Sequence, residues 1–156
     1  MKKTVYVKIK GMSDEGLRTS STPNTSESSD EAIEVISVAN YAKIGNSECI
    51  KYDEVYDGIS QKTTNIIKIS EDKVEVTKKG AVTTHMTYIK NKQTTAVYET
   101  PFGNMNFSIF TRKMDIDRTE DSLKATIEYS MDINGQPVSE NWIEIEATSQ
   151  GPLNLL

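Results

Sequence analysis

The chain has 156 residues, 36% of them hydrophobic and 26% charged, with 23 acidic against 18 basic side chains and a formal net charge of −5. One domain of that size buries about two-thirds of its unfolded surface, and the acidic balance excludes a nucleic-acid partner, whose phosphates need a basic surface. The single cysteine, Cys49, excludes an internal disulfide framework, and no apolar run approaches the ~20 residues that would span a membrane.

The chain opens on MKKTVYVKIK. Its two leading lysines imitate a secretory signal, but Lys8 and Lys10 interrupt the stretch after them, so no apolar core of a signal peptide forms and the economical location is the cytoplasm. Val5, Val7 and Ile9 alternate with polar residues, the period of a strand with one buried face. Residues 13–31, SDEGLRTSSTPNTSESSDE, carry almost no large apolar side chain. Such a composition cannot offset its ordering entropy and predicts a mobile loop inside a single domain spanning 1–156.

Strand-like segments then succeed one another to the end. Gly45-Asn46 parts ISVANYAKI from ECIKYDEVY, Glu71-Asp72 parts NIIKIS from KVEVTKKG, and Asn91-Lys92 parts THMTYIK from TTAVYET. Lys78, Lys79, Lys90 and Lys92 lie near two of these turns and read as a solvated face. The stretch YETPFG, residues 98–103, joins TTAVYET to NMNFSIFT. Pro101 lacks an amide donor and suits a corner, with Tyr98 and Phe102 placed to plug one end of the fold. Asn134-Gly135 is a type I′ hairpin signal between ATIEYSMDI and WIEIEA. No helical stripe of useful length occurs. The whole predicts an all-β fold, a single antiparallel barrel of about eight strands in up-and-down order, closed so that no edge is exposed.

The ordered motifs resemble the YwiB-like family, small bacterial proteins with a calycin-like barrel. IIKIS with KVEVTKKG is similar to that family's paired strands, Gly80 matching its glycine and Lys78 standing where arginine is common. YETPFG is similar to its tyrosine, proline or serine, aromatic and glycine; Thr111 and IEYSM come next in order. The resemblance covers about residues 30–147 and leaves the 13–31 segment aside. It implies the fold and carries no activity.

The residues themselves offer little to catalysis. His85 is the only histidine, without a cysteine or histidine cluster at metal-ligand spacing and without a nucleophile elbow. Cys49 has no second thiol to act with, and KKGAV lacks the glycines of a phosphate loop. The expectation is a protein that is not an enzyme and needs no metal or cofactor. Two binding readings stand. In the first, the barrel interior, with Tyr98, Phe102, Phe107, Tyr129 and Met131, takes a small apolar or amphipathic molecule, against the alternative of a filled core. In the second, the outer face around Trp142, or the 13–31 segment, binds a protein partner.

Overall fold

The computed structural model describes residues 3–15, 33–55 and 62–149. They form ten strands: β1 (Thr4–Glu15), β2 (Ile33–Ile44), β3 (Ser47–Val55), β4 (Lys62–Ile69), β5 (Lys73–Lys79), β6 (Thr83–Ile89), β7 (Gln93–Thr100), β8 (Gly103–Arg118), β9 (Ser122–Ile133) and β10 (Gln136–Thr148). Each pairs antiparallel with its neighbours in sequence, and β10 returns to β1, closing an up-and-down barrel. The count is ten rather than about eight. The short turns at 71–72 and 91–92 each separate two full strands, so every alternating segment contributes its own.

Closure rests on the β1–β10 ladder, in register from Tyr6↔Thr148 to Glu15↔Ser139. This corrects the boundary of the polar segment: residues 13–15 extend β1 against Asn141, Glu140 and Ser139. At a barrel rim the backbone pairing is available to polar residues too, so composition alone misplaces the strand end. Residues 16–31 lie outside the described residues, and with them the expectation of mobility.

Period-2 alternation sends one side chain in two inward. β9 shows it cleanly, with Leu123, Ala125, Ile127, Tyr129 and Met131 buried in turn. Ile50, Ile67, Ile69, Ile109 and Ile145 join them at 1% exposure or less. Each such side chain contributes roughly 1.5–3 kcal/mol on burial. β8 departs from strict alternation: its register slips between Thr111 and Lys113. That bulge lets Thr111 and Met114 both face inward at odd spacing. At the β9–β10 hairpin Asn134 and Gly135 have φ of 51° and 80°, as a type I′ turn requires.

The YETPFG corner is a surface turn. The Thr100 hydroxyl donates to the Gly103 carbonyl at 2.7 Å and accepts from the Phe102 amide at 3.2 Å. Phe102 itself is 100% exposed, so it plugs nothing. The turn projects beyond the barrel rim, where Met105 is also half exposed.

The opposite end is closed by charge. Glu48 on β3, only 7% exposed, accepts from Arg118 Nε at 2.6 Å and from the Tyr41 hydroxyl at 2.7 Å. β3 and β8 are not neighbours in the barrel, so this contact straps its mouth. Burial alone would raise the Glu48 pKa, but hydrogen bonds from Arg118 and Tyr41, with the charges of Arg118 and Lys43, hold it below 4.5. Burial and the Glu48 bond push the Tyr41 hydroxyl up to about 12.

A carboxylate depressed in the folded state stabilises the fold above its unfolded value, and that contribution is lost as pH falls through the folded value. Acid unfolding below the ordinary glutamate range therefore draws on Glu48. Glu48→Gln should lose about 1–3 kcal/mol near neutrality, the range for a hydrogen bond to a buried charged group, and should flatten the acid limb of stability measured by urea titration. An unchanged acid limb would contradict the strap.

Candidate functional site

Two parts of the interior differ. On the β6–β9 side the space is filled by aromatic rings. Tyr88 and Tyr129 meet edge to face with centroids 4.8 Å apart, and Tyr98 and Phe107 do the same at 4.8 Å. Edge-to-face pairs of this kind add about 0.5–1.5 kcal/mol beyond area burial. Tyr88 is 1% exposed and reaches Met86 Sδ at 3.5 Å. Tyr129 and Met131 are each 9% exposed, parts of this packed core. Tyr98 and Phe107 are half-buried nearer the rim. Phe102 is fully exposed and stands apart, while Tyr98 and Phe107 pack against the core that holds Tyr129 and Met131.

On the other side the interior opens. A cavity of about 90 Å³ lies among Ile9 of β1, Val35 of β2, Tyr52 and Glu54 of β3, Ile67 of β4, Val76 and Lys78 of β5, and Ile143 and Ile145 of β10. None of the expected ligand residues lines it. The cavity stands beside a parting of the wall. β2 and β3 pair from Asn40↔Lys51 to Ile44↔Ser47. Among the described residues the first half of β2 and the second half of β3 are not paired with each other, and Val35, Tyr52 and Glu54 belong to those halves.

A polar set sits against the apolar walls. Lys78 Nζ lies 3.9 Å from Glu54 Oε1. The same carboxylate oxygen accepts from Asn65 Nδ2 at 2.6 Å. Asn65 is 1% exposed, and its Oδ1 has no hydrogen-bond partner among the described residues. Tyr52, Asn65 and Lys78 are consecutive partners across β3, β4 and β5, so they form one inward row. Gly80 keeps the rim close: a Cβ there would meet Thr63 Oγ1 at 2.6 Å.

Strand-by-strand reading misses this set, although its signal is in the sequence. Glu54 is in phase with Ile50 and Tyr52, Asn65 with Ile67 and Ile69, and Lys78 with Val74 and Val76. A polar residue in phase with apolar ones on three successive strands marks a polar row inside a barrel. Lys78 is thus more than part of a solvated surface, since it lines the cavity while its side chain stays 45% exposed.

The remaining singled-out residues lie apart. His85 is exposed on the outer face, with Nδ1 2.7 Å from the Thr77 hydroxyl. Cys49 is a half-buried free thiol. Trp142 points outward, half-buried between Met12 and Glu128 in the ladders. Among the described residues the exposed large apolar side chains are elsewhere: Ile36, Val38 and Ile44 on β2, Val82 just before β6, Phe102 and Met105 at the β7–β8 turn, and Phe110 farther along β8.

Residues 18–145 match the family described as Domain of unknown function (DUF1934), and the chain belongs to that family. It is 28% identical over 106 residues to the "Uncharacterized beta-barrel protein YwiB" of Bacillus subtilis (strain 168), a stretch covering 68% of this chain and 73% of the relative. Its fold matches the crystal structure of the ywiB protein from Bacillus subtilis with a TM-score of 0.74 at 21% identity, over 96% of this chain and 93% of that one. The motif series from IIKIS to IEYSM therefore marks true kinship in fold. The family match begins at residue 18, so it takes in most of the polar segment that the motif series left aside.

The packed side has a measurable signature. Burial, then the neighbouring Tyr129, raises the Tyr88 pKa well above 10.0, and burial raises that of Tyr129. A raised folded value means stability that is complete below the unfolded pKa and lost as pH climbs. In an ultraviolet pH titration these two hydroxyls should stay protonated until the chain unfolds, and Tyr88→Phe should remove one late-titrating group. Ionisation of every tyrosine near the ordinary value, with the fold intact, would contradict the packing.

Proposed function

We propose that the barrel is a non-catalytic binding protein that holds a small amphipathic molecule in the cavity between β1–β5 and β10. The observation that carries this reading is the cavity itself: about 90 Å³, apolar on most sides and polar at Glu54 and Lys78. Interiors of native density leave few voids larger than a water molecule, and this one is well above the volume that admits a single water. An apolar pocket with a few placed polar groups is the usual form of a small-molecule site. The kinship in fold adds no ligand.

The reading of the chain as a protein-interaction module draws support from Ile36 and Val38, 45% and 60% exposed on the outer face of β2. Trp142 does not join them, because it is half-buried. The exposed apolar side chains at the β7–β8 turn, Phe102 and Met105, belong to other strands of the barrel.

The binding reading is tested by titrating cyclopentane into protein labelled at its methyl groups. Saturable shifts should appear at Ile9, Val35, Ile67 and Ile145, and not at Ile109 or Leu123. Val76→Phe should fill the space and abolish them, at a stability cost of about 1–3 kcal/mol for overpacking. Shifts that never saturate, or that survive Val76→Phe in a folded variant, would overturn the proposal.

A further inference from the structure

We infer that the outer face of β2 is a self-complementary contact, through which two copies of this chain meet about a twofold axis at Asn40. This rests on the interaction reading of β2, to which it gives a partner, and is independent of the cavity.

The outer row of β2 is Ile36, Val38, Asn40, Ala42 and Ile44, every one of them exposed. Ile36, Val38 and Ile44 reach 45%, 60% and 65% exposure, and none of the five carries a charge. Other strands dress their outer faces differently. Lys8 of β1 pairs with Glu146 of β10 at 3.7 Å, Lys124 of β9 with Glu144 of β10 at 3.6 Å, and Lys113 of β8 with Glu128 of β9 at 3.8 Å. Ion pairs solvate those strands, whereas β2 shows water an apolar row interrupted once, by Asn40. An apolar surface rimmed by polar residues marks a contact site.

The order of the row names the partner. From either end it runs isoleucine, then a smaller apolar residue, then asparagine. A twofold contact between identical chains requires that residue i meet j and j meet i. Antiparallel strands crossing at Asn40 meet that demand. Ile36 then lies on the partner's Ile44 and Val38 on the partner's Ala42, a larger side chain over a smaller one. A parallel crossing would set valine on valine and alanine on alanine, with a gap at the second. The amide at the centre also fits its own copy, because it holds a donor and an acceptor side by side. Two facing Asn40 side chains close a reciprocal pair of hydrogen bonds across the ~10 Å between packed sheets. An unlike partner places no demand on the symmetry of the row.

The contact is small. Eight residue steps of about 3.4 Å make a row about 27 Å long. At about 10 Å wide it covers roughly 300 Å² per copy, against about 800 Å² per partner in a standard interface. The association is therefore weak and reversible. Lys51, opposite Asn40 on β3, meets its counterpart near the axis, so salt strengthens the contact by screening that repulsion.

The test is self-association of the full chain, followed by sedimentation velocity and methyl spectra over a concentration series. The sedimentation coefficient should climb along a monomer–dimer curve, and climb further in high salt. Methyl shifts should follow the same curve at Ile36, Val38, Ala42 and Ile44, and be absent at Ile109 and Leu123. Val38→Lys, a surface change that leaves the core intact, should abolish both. In a Cys49→Ser background a short bismaleimide should link Asn40→Cys to itself about tenfold faster than Thr95→Cys, exposed on β7, because the contact raises the local thiol concentration. A mixture of Ile36→Cys and Ile44→Cys should link where neither does alone. A sedimentation coefficient that stays constant to the solubility limit, or equal linking at Asn40→Cys and Thr95→Cys, overturns the self-contact. The interaction reading of β2 is then decided separately: saturable shifts of the same methyls in a host-cell extract keep it, and their absence removes it as well.

Discussion

The structure depends on one ladder. β1 and β10, the first and last strands of the barrel, pair over ten residues from Tyr6↔Thr148 to Glu15↔Ser139. Without that ladder the meander would be an open sheet with two long edges, a form prone to pairing with other chains. With it, every strand is locked in phase, because a slip of one residue would turn its apolar side chains to water. Closure at ten strands also sets the width. Eight strands enclose an interior that side chains just fill or that holds one small ligand, and diameter grows with strand number. Ten strands leave room for the cavity beside β1–β5 and β10.

The chain treats the two ends and the two sides of that interior differently. The Glu48–Arg118 strap, supported by Tyr41, shuts one mouth with a charged contact between strands that are not neighbours. On the β6–β9 side the excess volume is taken up by Tyr88, Tyr98, Phe107 and Tyr129 in two edge-to-face pairs. On the β1–β5 side Tyr52 is the one aromatic among the residues that line the cavity. Tyr52 and Lys78 line that cavity where β2 and β3 part, with Asn65 buried between them in the ladder.

The all-β class, the strand segments and the up-and-down closure are legible in the sequence because period-2 alternation is a local signal and survives in any register. The strand ends are less so: Ser13–Glu15 are polar, and only the β10 backbone opposite them makes them a strand. The aromatic cup is misleading because alternation gives the side of a strand and not the height along the barrel. Phe102 and Met105 share a chain segment with Ile109, yet they stand above the rim while Ile109 is buried. The polar row is hidden for a related reason. Glu54, Asn65 and Lys78 look like solvated residues one strand at a time, and only the β3–β4–β5 register sets them side by side.

The barrel holds a cavity beside β1–β5 and aromatic pairs on the β6–β9 side. Crystals of the protein pressurised with xenon test it directly, since xenon enters apolar cavities and leaves native packing untouched. A single xenon peak among Ile9, Val35, Ile67, Val76 and Ile145, with none among Tyr88, Tyr98 and Tyr129, is the expected outcome. An interior without xenon, its β1–β5 side filled by side chains, would contradict it.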